Sequence, residues 1–207
     1  MSLSRRTLLP AAFAAALTMR AQAWATDAEQ MTLGAAGAPM HLVEFASATC
    51  PHCAHFHETN WATLKSAYID AGRVRFTLHE MVTPPPAVAL AMFQLARCEN
   101  TSADEYFRRL GILFQQRAQI LETGAAAGVR DSLVGLGGQW GLTEAQVMAA
   151  LNDQQGVDRM RRSIEEATRA GVSQTPTFIC DGELITDQDF HTPDGMRRIL
   201  DYRLSRR

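Results

Sequence analysis

The stretch His41-Leu42-Val43-Glu44-Phe45-Ala46, followed after three intervening residues by Cys50-Pro51-His52-Cys53, decides how the rest of the chain is read. Its first part is an apolar run of the length of a buried strand. In the second part, two cysteines separated by two residues close a small disulfide ring when both sit in the first turn of a helix. Phe56, Trp61, Leu64, Tyr68 and Ile69 recur at roughly helical spacing, so residues 51–70 are read as that helix. Pro51 suits its first position. Cys50 then stands at the helix start, where unpaired N–H groups and the macrodipole favour an anion. A thiol so placed has a lowered pKa and is the nucleophile of the pair. His52, protonated or donating a hydrogen bond, would stabilise the same thiolate. Stabilising the thiolate favours the reduced dithiol, which makes the disulfide a strong oxidant.

Other readings of the pair are weaker. A structural zinc site needs four closed ligands, and no second Cys-x-x-Cys exists; Cys98 and Cys180 are isolated. His52, His55 and His57 crowd the motif, so soft-metal binding by a copper or zinc module remains an alternative. A purely structural bridge across so tight a ring would constrain little chain entropy.

Val43-Glu44-Phe45 leading into Cys50-Pro51-His52-Cys53, with Gly171-Val172-Ser173-Gln174-Thr175-Pro176-Thr177-Phe178 far downstream, resembles the DsbA-like thiol:disulfide oxidoreductases of the thioredoxin superfamily. The resemblance runs from about Gly34 to the C-terminus. It implies an α/β thioredoxin-like fold with a helical insertion domain. It also implies that the Thr175–Pro176 bond is cis and faces the disulfide, with both residues forming the platform for extended substrate chains. A trans proline opening a strand is the plainer reading of Pro176. Glu44 is costly on an apolar strand without a task, and the resemblance implies that it exchanges protons with Cys53; a satisfied or edge carboxylate is the alternative.

Residues 1–25 read as a cleavable export signal. Arg5 and Arg6 begin it, residues 8–19 are apolar but too short to span a bilayer, and small residues allow cleavage after Ala25 or Ala23. Ser4-Arg5-Arg6-Thr7-Leu8-Leu9 also resembles a twin-arginine signal, although an ordinary secretory signal could carry the same arginines. Either route leads to an oxidising compartment, here the periplasm. Without Arg5, Arg6 and Arg20 the basic count falls from 20 to 17 against 22 acids, a net charge of −5. Nucleic acid and anionic membrane are thereby disfavoured as partners.

Residues 26–39 form a Gly/Ala-rich lead-in, expected to be irregular. They leave no room for the N-terminal dimerisation domain of the disulfide isomerases that resemble this family, so a monomer is expected. The thioredoxin-like domain is assigned to residues 40–98 and 172–207, with the helical insertion at 99–171. Residues 40–47 should be a central buried strand, and residues 73–78 a strand with one exposed face. A helix is read over residues 87–97. Ser102 with Glu105, and Thr143 with Gln146, make capping boxes. The glycines at 124–128 and 135–138 are read as helix breaks, and Gly171 as a helix stop. Asp181-Gly182 should turn a hairpin, and Thr192 should cap a last helix.

The resulting expectation is an exported oxidoreductase that introduces disulfides into reduced, folding proteins and needs no cofactor or metal. A membrane quinone-linked thiol oxidase would restore it. A reductase or isomerase would use the same residues, because direction depends on redox poise. An even cysteine count leaves a second bridge, Cys98–Cys180, open beside a free buried Cys180.

Overall fold

Strand β2, Met40–Ser47, runs through the middle of the molecule, and a computed structural model describes residues 30–207 around it. The expected export signal and its cleavage near Ala25 lie outside the described residues. Successive β2 side chains alternate between faces. Met40, Leu42 and Ala46 enter one core, whereas Val43 and Phe45 enter a smaller one on the opposite side. Glu44 shares the face of Leu42 and Ala46 and is wholly buried. β3, Val74–Met81, pairs parallel with β2, and β4, Thr177–Cys180, pairs with it antiparallel. β1, Met31–Leu33, and β5, Glu183–Leu184, complete a sheet of order β1-β3-β2-β4-β5 among the described residues.

Helix α1, Pro51–Leu64, leaves β2 and buries Cys53, Phe56, His57, Asn60 and Leu64 along one stripe. It continues as a wider, π-helical turn over Lys65–Ile69, so the helical segment expected at 51–70 changes its winding near the end. Phe56 meets Phe178 of β4 at a ring-centroid distance of 4.5 Å. Burying a side chain of that size is worth roughly 1.5–3 kcal/mol, and here it fixes α1 against the sheet. α2, Pro86–Ala96, follows β3. Four helices then precede β4: α3 (Ala103–Glu122), α4 (Ala126–Gln139), α5 (Glu144–Leu151) and α6 (Gln154–Arg169). α7, Pro193–Leu204, closes the chain with Thr192 as its N-cap.

Several expectations need correction. The lead-in is not wholly irregular, because β1 pairs antiparallel with the outer edge of β3 and the Thr32 and Thr77 hydroxyls meet at 2.9 Å. β3 has no broadly exposed face: Thr77, His79 and Glu80 are buried with its apolar residues. Its polar side chains are satisfied internally instead. Glu80 accepts from Arg97 Nε at 2.7 Å and from the Tyr106 hydroxyl at 2.8 Å, and His79 lies 3.4 Å from Glu166 of α6. The glycines at 135–138 do not break α4. Gly137 is needed there for contact, since a Cβ on it would come within 2.3 Å of a Val147 methyl group.

The two capping boxes also differ. Thr143 and Gln146 form both halves of theirs. Ser102 accepts from the Glu105 amide, but the Glu105 carboxylate binds Arg108 and Arg109 instead, and those bonds lower its pKa to about 2. The turn at Asp181-Gly182 has both residues at positive φ, as a tight hairpin requires, although β5 is only two residues long.

Candidate active site

Cys50 is the N-cap residue of α1, with extended backbone and Pro51 at the first helical position. Its approach is braced by hydroxyls. Ser47 Oγ accepts from the Thr83 amide at 3.0 Å, and Thr49 Oγ1 donates to the Thr83 carbonyl at 3.0 Å. The turn into α1 is thus tied to the loop after β3, and the Cys50 amide donates to Ser47 O at 3.0 Å. These hydroxyls were not singled out in the sequence, where Ser and Thr near a helix start read only as capping material.

The two thiols differ sharply. Cys50 has a pKa lowered to about 5, first by a hydrogen bond from the Cys53 thiol, then by the Thr175 side chain and by the Cys53 and His52 backbone amides, against the opposing effect of burial. The buried Thr175 hydroxyl has no hydrogen-bond partner and lies close enough to Cys50 to favour its thiolate. In the neutral form the Cys50 thiol donates to the Thr175 carbonyl, with Sγ and O 3.3 Å apart. Cys53 is fully buried, and its pKa is raised by desolvation, by its bond to Cys50 and by the charge of Glu44. At neutral pH, therefore, Cys50 is the anion and Cys53 holds a proton.

Thr175 and Pro176 arrive beside this pair from the other end of the helical insertion, and the peptide bond between them is cis. With His52, His55, Phe56, Gln174, Gln188 and His191 they line a cavity of about 350 Å³. His52 and His55 are exposed and open onto it. His57 is different: it is buried, and its Nε2 lies 2.9 Å from Glu44 Oε2. Sequence reading treated His57 only as a neighbour of the motif. Its position four residues after Cys53, on the same helix stripe, is the signal that would have placed it inside.

All four cysteines are free. Cys98 donates toward the Gln146 carbonyl at 3.7 Å, whereas Cys180 contacts the Asp181 carboxylate at 3.3 Å, and no second bridge joins them. Among the described residues, no cluster of three or more His, Cys, Asp or Glu side chains converges to hold a metal ion. Nor is any helix there long and apolar enough to cross a membrane.

A family model described as thioredoxin matches residues 26–202. A relative from Rickettsia typhi, named "Putative protein-disulfide oxidoreductase", is 27% identical over 153 residues, covering 74% of this chain and 53% of its own length. The chain thus spans about half the length of the curated relatives it matches. Among solved structures, α-DsbA1 of Wolbachia pipientis superposes with a TM-score of 0.71 at 19% identity, covering 86% of this chain and 92% of its own. Oxidised BdbD of Bacillus subtilis gives 0.71 at 18% identity, covering 87% and 95%. On a family match spanning most of its sequence, and with the fold of α-DsbA1, the chain belongs to the thioredoxin family.

Proposed function

We propose that the protein is an exported, monomeric thiol:disulfide oxidoreductase that introduces disulfides into reduced, folding proteins through Cys50 and Cys53. The observation that supports this best is the division of labour within the pair: one acidic thiol at the α1 N-terminus, the other buried and hard to ionise. A substrate thiolate attacks Cys50 of the oxidised pair. The Cys50–Cys53 bond breaks, a substrate–Cys50 bond forms, and Cys53 leaves with the electron pair and takes up a proton. A second substrate thiolate then attacks the substrate sulfur of the mixed disulfide. The substrate disulfide closes and Cys50 departs as a thiolate, which the helix terminus and its donors stabilise.

Pro51 starts the helix that provides those donors, and His52 adds its amide and, when protonated, a cationic ring. Thr175 and Pro176 offer an edge on which an extended substrate chain aligns beside Cys50. Glu44 supplies the proton that Cys53 takes up. The reduced pair returns two electrons and the Cys53 proton to a membrane quinone-linked thiol oxidase, and water supplies the second proton that the quinone takes up. Because stabilising the Cys50 thiolate favours the reduced state, net transfer runs toward substrate oxidation. Equilibration with glutathione buffers tests this. A potential less negative than about −200 mV is expected, and one near about −270 mV, the thioredoxin range, would make the protein a reductase.

A further inference from the structure

Cys53 takes up or loses a proton in each cycle, yet its side chain has no exposed surface. Glu44 lies near enough for its charge to act on Cys53, but it too is wholly buried. One of its oxygens, Oε2, meets His57 Nε2, while the other, Oε1, is buried and has no partner. His57 forms the link to water. Its ring is packed by Trp61 and Phe114, with centroids 5.1 and 4.7 Å away, and it lines a cavity of about 470 Å³ between α1 and α3. Pro51, Glu58, Gln115 and Arg117 line the same cavity.

We propose that His57 is the proton carrier that connects Glu44, and through it Cys53, to water in the cavity between α1 and α3. This rests on the oxidoreductase reading above. The Glu44–His57 pair holds one proton. When the Cys50–Cys53 bond breaks and Cys53 receives the electron pair, the proton passes from Glu44 to the Cys53 sulfur, directly or through one water. His57 then takes a proton from cavity water and restores the pair. When Cys53 attacks a mixed disulfide the flow reverses: its thiol proton goes to the pair, the Cys50–Cys53 bond forms, and the departing thiolate carries away the electrons. Other ionisable groups surround the pair. His55 and Glu58 of α1 and Arg117 of α3 face the cavity, His191 lies on the Glu44 side, and the Tyr106 hydroxyl is occupied by Glu80.

The test follows the two steps of oxidation by glutathione disulfide separately, across the acid-to-neutral range. It compares the parent, His57→Gln, Glu44→Gln and the double variant. His57→Gln should slow the resolving step, attack by Cys53, at least about tenfold near neutrality, the scale of general acid–base assistance. Formation of the Cys50–glutathione bond should be unchanged, and the deficit should close as pH rises and hydroxide serves directly. The double variant should be no slower than Glu44→Gln, because the two groups act in series. A parent-like rate in His57→Gln, or equal slowing at every pH, would overturn the proposal, since a merely structural role leaves the pH profile alone. Should His57→Gln fail to fold, Ala118→Phe carries the test, as it fills the cavity from its exposed rim. It should slow only the resolving step, several-fold, and unaltered kinetics would again overturn the proposal. A parent that forms no glutathione adduct would overturn the oxidoreductase reading itself.

Discussion

The Cys50 sulfur lies 3.3 Å from the carbonyl oxygen of Thr175, a residue 125 positions further along the chain. Through this contact the start of α1 and the loop before β4 form one surface, although the whole helical insertion separates them in sequence. Cys50 is the sulfur on that surface, and Cys53 lies behind it. Replacing Cys50 with Ser should therefore abolish exchange. Cys53→Ser should instead accumulate mixed disulfides with substrates, because the resolving thiol is gone. Non-reducing electrophoresis and mass spectrometry would read the trapped species, and equal trapping by both variants would reverse the assigned roles.

The donors around Cys50 predict a ranking. Thiolate absorbance followed against pH should give a midpoint near 5 in the parent. Cys53→Ala removes the largest contribution and should raise that midpoint most. His52→Ala keeps the backbone amide and should raise it less. A larger effect from His52→Ala would move the main stabilisation from the Cys53 thiol to the imidazole.

The same shift makes stability depend on pH in the reduced state only. Cys50 has a lower pKa folded than unfolded, so between about 5 and 9.0 the unfolded chain binds more protons there. The stabilisation is complete above the unfolded value and is lost as pH falls through about 5. Thermal unfolding of both redox forms should show the reduced form gaining on the oxidised one as pH rises across this window. Parallel curves would mean that Cys50 is not ionised in the folded protein.

Two glycines should respond oppositely to the same substitution. A Cβ on Gly195 would lie 1.9 Å from the Asp189 carbonyl oxygen, so Gly195→Ala must push α7 away from the preceding turn. A loss of about 1–3 kcal/mol is expected from such overpacking. Gly135 sits exposed within α4 with nothing near its missing Cβ, and Gly135→Ala should gain up to about 1 kcal/mol. Denaturant unfolding of the two variants would check both signs.

What could be read from the sequence was what depends on local spacing. The cysteine pair with Pro51, the strand at Met40–Ser47 and the Asp181-Gly182 turn each declare themselves within a few residues. Features that depend on what packs opposite were misread or missed. The Arg73–Leu78 alternation looked like a half-exposed strand, because nothing local says that α6 covers its other face and brings Glu166 to His79. Gly137 looked like a break for the same reason: its closeness to Val147 exists only after α4 and α5 have met. The Glu44–His57 contact needs β2 and α1 in register, which no spacing within α1 alone can show.

The position of the insertion also ties chemical reactivity to completion of the chain. Both cysteines are made early, but Thr175, which helps hold the Cys50 anion, becomes available only when β4 pairs with β2. A chain ending before Val172 keeps Cys50-Pro51-His52-Cys53 intact and yet lacks Thr175 and the surface that faces the pair. Cys50 then keeps the donors of α1 but not the one across the sheet, so an unfinished molecule is less well equipped to exchange disulfides with its neighbours.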